Sequence, residues 1–173
     1  MKENSNLRTL KDIKLGISTA QNSIGAFYST KLRQVIKSKE VTTTKAPLID
    51  IAFYGFDNTF SHNRFVSPDN LETTTLTEFG NATATKFINK QESGDINLSV
   101  QNFESMTTDA PLKTLPIVNA NYGDEYFEDT PLPRVVLFET ADGRKGALMV
   151  KQVVKEGNED SYIISDIKIQ KND

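Results

Sequence analysis

The chain has no cysteine and one histidine, His62. The first absence removes disulfides, thiolate nucleophiles, iron–sulfur clusters and cysteine zinc sites together. It leaves the redox compartment open, because a cysteine-free protein suits either one. The second removes any site that needs two histidine ligands from one chain, and a Ser-His-Asp triad has only His62 to use. No apolar run approaches the ~20 residues that span a bilayer. The opening residues, MKENSN, are polar where the apolar region of a signal peptide would stand. Both facts fit a cytoplasmic protein, and equally the mature part of an exported one.

A basic surplus is missing too. Lys and Arg number 20 against 23 Asp and Glu, a net charge of −3. Generic nucleic-acid binding needs a positive surface to displace counterions from phosphates, so no nucleic-acid partner is expected. Lys31, Arg33, Lys37 and Lys39 cluster in sequence and read as a solvated face. No GxSxG, HExxH, GxGxxG or zinc spacing occurs. Gly143-Arg144-Lys145-Gly146 lacks the glycine-rich run and following helix of a phosphate loop, and reads as hairpin chemistry. No cofactor and no metal site is expected.

What remains is a hydrophobic content of 37%, enough for one core and one domain. Residues 1–12 are polar and without periodicity, and read as a tail or tether; residues 13–173 read as the globular domain. Ile13 to Ile17 alternates as a half-buried strand, and Ile24 to Tyr28 is a second apolar patch. Leu48 to Tyr54 is nearly continuous in apolar residues, as a strand covered on both faces would be. Ser67-Pro68 has the chemistry of a helix start, and Ala84 to Ile88 is a weak strand. Ser99 caps a helix that sets Val100, Phe103 and Met106 on one face before Pro111 ends it. Arg134 to Glu139, Gly146 to Lys155 and Tyr162 to Gln170 form a three-stranded antiparallel meander. In its last strand Ile163, Ile167 and Ile169 share one face, while Asp166, Lys168 and Gln170 share a solvent-like one. The fold class is therefore α+β, mainly β: antiparallel sheets with a C-terminal meander and about two or three short helices.

The stretch IDIAFYGFDNTFSHNRF, residues 49–65, delivers Asp57 to the end of a strand. A phosphatase of the haloacid-dehalogenase type needs a second aspartate two residues away, where Gly55 and Thr59 stand. That reading fails. Asp57 and His62 are kept as candidate ligand contacts on a polar exit loop. A second candidate is the acidic run after Tyr122, where Asp124, Tyr126 and Glu128 interleave carboxylates with aromatic rings. The spacing matches no EF-hand loop, and suits a binding surface or a loop packed on the sheet.

Several blocks together carry a resemblance: IKLGISTAQNSIGAFYST, IDIAFYG, FVSP, TKF and VVLFETADGRKGALMVKQVV, with SYIISDIKIQK at the end. This succession resembles exported Bacteroidetes lipoprotein-type domains of uncharacterised function. The resemblance implies location rather than reaction: a module at the cell surface or in the periplasm, tied to the membrane only by a lipid anchor ahead of a polar tether. It carries no catalytic residues. The expectation is thus a non-catalytic envelope module that binds a glycan, a peptide or a protein partner. The competing expectations are a carboxylate-dependent hydrolase of a surface glycan, and a structural subunit of an envelope complex.

Overall fold

A computed structural model describes residues 6–91, 98–117 and 125–171. Two antiparallel sheets form the domain. The larger contains β1 (Leu7–Gly16), β6 (Lys86–Ile88), β7 (Arg134–Glu139), β8 (Lys145–Val154) and β9 (Tyr162–Gln170), in the order β1-β9-β8-β7-β6. The smaller contains β2 (Phe27–Ser29), β3 (Gln34–Ile36), β4 (Ile51–Gly55) and β5 (Asn63–Val66), in the order β3-β2-β4-β5. Two short helices, α1 (Val100–Ser105) and α2 (Ala110–Lys113), pack on the larger sheet. The mainly β fold and its C-terminal meander β7-β8-β9 are as the sequence indicates.

Strand alternation divides the core into three. Ile51 and Phe53 of β4, Val136 and Phe138 of β7, and Ile163, Ile167 and Ile169 of β9 meet between the sheets. Val135 and Leu137, one residue out of phase, face α1 and α2 with Phe103, Met106 and Leu112. Ala52 and Tyr54 face outward under the loops that carry Leu71 and Leu76. Both faces of β4 and β7 are therefore covered, which is why their sequences run apolar without alternation. A column of rings stitches the middle layer: Phe53–Phe65 at 5.3 Å, Phe65–Phe87 at 5.9 Å and Phe87–Phe138 at 6.0 Å. Each buried ring contributes about 2–3 kcal/mol of transfer free energy.

Three polar clasps hold the layers in register. The side chain of Asn89, fully buried just past β6, accepts from Phe65 N at 2.7 Å and donates to Phe65 O at 3.0 Å. It thus stands in for a strand beside β5. At the β7–β8 turn Gly143 takes φ +87°, and Arg144 reaches back into the smaller sheet. Its Nη2 donates to Asp50 Oδ2 at 3.3 Å and its Nη1 to Thr30 Oγ1 at 3.1 Å. Its Nε donates to both oxygens of Asp142, at 3.0 and 3.1 Å. Lys168 Nζ is the third clasp, donating to the carbonyls of Phe103, Glu104 and Met106 at 2.7, 3.3 and 2.8 Å. Those carbonyls belong to the C-terminal end of α1, where a cation is favoured.

Three expectations change. The first strand begins at Leu7, ahead of Ile13 and inside the stretch read as a tail. Residues 7–10 pair with residues 167–170 of β9, and Leu7 is buried with the α1–α2 cluster. Asp166 and Lys168 do not face solvent. They are 5% and 8% exposed, because α1 and the Asp12–Lys151 pair cover that face of β9. Pro111 does not end the helix begun at Ser99. That helix ends at Ser105, its N-terminus capped by Ser99 Oγ as expected, and Pro111 sits in the first turn of α2, where its missing N–H costs nothing.

The Arg144 clasp sets two pH-dependent terms of opposite sign. Burial pushes the Asp50 carboxyl above its usual value, against the hydrogen bonds from Thr30 and the charge of Arg144. Partial burial would raise Asp142 too, but bonds from Thr140, Arg144 and Lys31 and the charge of Arg144 outweigh it and hold it at about 2. A carboxyl depressed in the fold contributes stability that is present above its unfolded value of 3.8 and is lost as pH falls toward 2. The difference in unfolding free energy between wild type and Asp142→Asn should therefore shrink across that window in urea titrations. Asp50→Ala strips Arg144 of its buried partner and should cost about 3 kcal/mol by the same measurement.

Candidate functional site

The outer face of the smaller sheet ends in exposed rings. On β4 the outward positions are Ala52 and Tyr54, and the next in phase is Phe56, just past the strand. On β5 they are Val66 and Arg64, and the next in phase is His62. Register pairs Tyr54 with Arg64, and Phe56 N donates to His62 O at 3.0 Å. A third segment continues the sheet. Asn63 and Phe127 exchange both backbone hydrogen bonds, at 3.0 and 2.8 Å, which sets Tyr126 opposite Arg64. Phe127 turns inward and is 2% exposed, so its neighbours Tyr126 and Glu128 turn out.

The result is a row of rings across three strands. Phe56 and His62 lie 6.2 Å apart at 72°, and His62 and Tyr126 lie 5.5 Å apart at 73°. Tyr54 closes the inner side, 6.4 Å from Tyr126. Beneath Tyr126 the Arg64 guanidinium stands 5.2 Å from the ring centre, held by a 2.8 Å bond from its Nη2 to Thr73 Oγ1. The only large apolar side chains exposed among the described residues are Leu32, Phe56 and Tyr126, and two of the three flank His62. Phe56 is 53% exposed and Tyr126 37%.

Asp57 begins the polar loop after Phe56. Its Oδ1 accepts from the Thr59 amide at 3.0 Å and from the Thr59 hydroxyl. Those two bonds, and then the nearby His62, hold the carboxyl below the usual aspartate range. An aspartate held ionised this way is a poor general acid. Ser61 Oγ lies 3.1 Å from His62 Nδ1, but Asp57 is turned to Thr59 and gives that pair no orienting carboxylate. Glu128 is exposed and, among the described residues, makes no hydrogen bond or ion pair. No group of three His, Asp or Glu side chains able to hold a metal occurs among the described residues.

Of the residues singled out in the sequence, the fold brings His62 and Tyr126 into contact, with Asp57 close enough to His62 to feel its charge and Glu128 on the same side of its segment as Tyr126. Tyr122 and Asp124 lie outside the described residues. Sequence reasoning missed Phe56, Tyr54 and Arg64. The alternation 52-54-56 and 62-64-66 could have put them on one face, but the bridge from Asn63 to Phe127 spans 64 residues and leaves no local signal. No protein-family model, curated protein or solved structure matches the chain.

Gly55, where a phosphatase would need a carboxylate, has no room for one. A Cβ there would lie 2.9 Å from Ile17 Cγ2 and 3.0 Å from Phe53 Cε2. Gly55→Ala should overpack this corner and cost about 1–3 kcal/mol in denaturant unfolding, while the exposed Tyr126→Ala should cost less than about 1 kcal/mol.

Proposed function

We propose that the chain is a non-catalytic binding module of the exported lipoprotein type, and that the Phe56–His62–Tyr126 row holds a glycan. The observation that carries the reading is the concentration of exposed aromatic surface at one end of a sheet whose other rings are buried. Pyranose rings present apolar C–H faces that pack on such rings, while their hydroxyls need polar partners at the rim. Asp57 and Ser61, both beside His62, and the exposed Glu128 supply acceptors and donors there. Arg64 braces Tyr126 from below, so little side-chain entropy would be lost when a ligand seats on it.

The resemblance to exported Bacteroidetes lipoprotein-type domains supports a place at the cell surface or in the periplasm. On this reading the contact with membrane comes through a lipid anchor, and the domain itself faces its partner in water. The hydrolase reading draws no support from the site, since Asp57 is committed to Thr59 and Glu128 has no carboxyl partner among the described residues.

A glycan array followed by titration calorimetry provides the test. At least one array glycan should bind the wild type, and Phe56→Ala and Tyr126→Ala should each weaken it about tenfold or more, a loss of about 1.4 kcal/mol. An array without binding, or binding that survives both substitutions, would overturn the assignment to this row.

A further inference from the structure

A second surface is built by two bulges placed side by side. The pairing of β1 with β9 shifts register between Leu10 and Ile13, and that of β8 with β9 shifts between Val150 and Gln152. The two shifts flank Ser165 of β9: the first lies opposite Asp166, the second between Ser165 and Ile164. The inserted residues are Lys11 and Asp12 on one side and Lys151 on the other, with Asp12 at φ +59°. A bulge re-aims side chains that a regular ladder would send elsewhere, and bulges concentrate beside functional sites.

Here they re-aim charge into an open groove of ≈ 830 Å³ between the larger sheet and the end of α1. Leu7, Met106 and Met149 supply its apolar surface, and Lys11, Lys151, Lys168 and Lys171 line it with Asp166 and Glu104. The four lysines are not equivalent. Lys151 is spent on Asp12 at 2.6 Å and Asp166 at 3.0 Å, and the Asp12 amide donates to the same Asp166 at 3.0 Å. Lys168 is spent on the three carbonyls of α1. Lys11 and Lys171 have no side-chain hydrogen bond or ion pair among the described residues. Lys11 is also close enough to Lys168 to help lower its affinity for a proton, after burial, which is the larger cause.

We infer that this groove binds an organic anion: a carboxylate or phosphate head set between Lys11 and Lys171, with an apolar body against Met106, Met149 and Leu7. An anion there offsets the like-charge crowding of Lys11 and Lys168. Glu104, the one lining carboxylate not engaged by Lys151, opposes an anion, but the four lysines outnumber the two lining carboxylates, so the groove favours an anion over a neutral ligand. The volume lies within the range of small-molecule sites and exceeds that of a bare phosphate. Unbranched methionines adapt to the shape of the apolar part. The groove shares no lining residue with the aromatic row and stands independently of it.

The experiment titrates the full chain with 2-naphthoate, 2-naphthyl phosphate and the neutral 2-naphthamide, by calorimetry and by amide chemical shifts. At least one anion should bind ten times or more tighter than the amide, with shifts at β1, β8 and β9. Which anion is tighter tells a carboxylate ligand from a phosphate one. Raising salt should weaken anion binding. The double variant Lys11→Gln, Lys171→Gln removes only side chains at the rim, and its circular dichroism should match wild type. It should lose about tenfold in anion affinity, and Tyr126→Ala should lose none. Anions that bind no tighter than the amide, no binding by any of the three, or a double variant that binds like wild type would each overturn the assignment.

Discussion

The phenylalanine column between the two sheets is the constraint on which the rest of the molecule depends. With no cysteine to link the layers, the sheets are joined by what they bury. Phe53, Phe65, Phe87 and Phe138 come one each from β4, β5, β6 and β7, so the column crosses from one sheet to the other at the β5–β6 seam. Phe127 stacks on Phe65 at 6.3 Å and draws the 125–129 segment onto the same column. The exposed ring of Tyr126 is placed by its buried neighbour. The geometry of the surface follows from the packing beneath it.

The buried polar groups do a different job. Apolar contact is indifferent to small slips, whereas a hydrogen bond or ion pair in a low-dielectric interior tolerates few alternatives. Asn89 fixes β6 against Phe65, and Arg144 fixes the β7–β8 turn against Thr30 and Asp50. Lys168 fixes the end of α1 on β9. Each clasp joins segments distant in sequence, and each satisfies groups that would be costly to bury alone. Such pairs contribute modestly to net stability, and their loss on one side only is expensive.

Both candidate surfaces arise where the regular ladder stops. The aromatic row forms where β4 and β5 leave the sheet and the outward phase of each strand carries past its last ladder bond. The lysine groove forms where two bulges interrupt the pairing of β9 and turn Lys11 and Lys151 to the same side. One surface, proposed for a glycan, is aromatic; the other, proposed for an organic anion, is cationic with a methionine floor. The two surfaces share no residue.

The class of fold, the meander and a covered strand in the Leu48–Tyr54 run were legible in the sequence by itself, because hydrophobic period and turn residues are local properties; the strand itself is Ile51–Gly55, and Leu48 belongs to the turn before it. The sequence also determined what the chain is not equipped to do by cysteine or paired-histidine chemistry, because composition is enough for that. It pointed to His62 and Tyr126 as surface candidates but not to their contact, nor to Phe56 and Arg64. Those follow from strand pairing: β4 against β5 sets Phe56 beside His62, and the backbone bridge between Asn63 and Phe127 brings Tyr126 to them. The tertiary structure also turned Asp166 and Lys168 from a solvent face into a buried one. Ile163, Ile167 and Ile169 do share one face of β9, but nothing within the strand announces that α1 will lie across the other. Period fixes which residues share a face, and only the neighbour that packs there decides whether the face is wet.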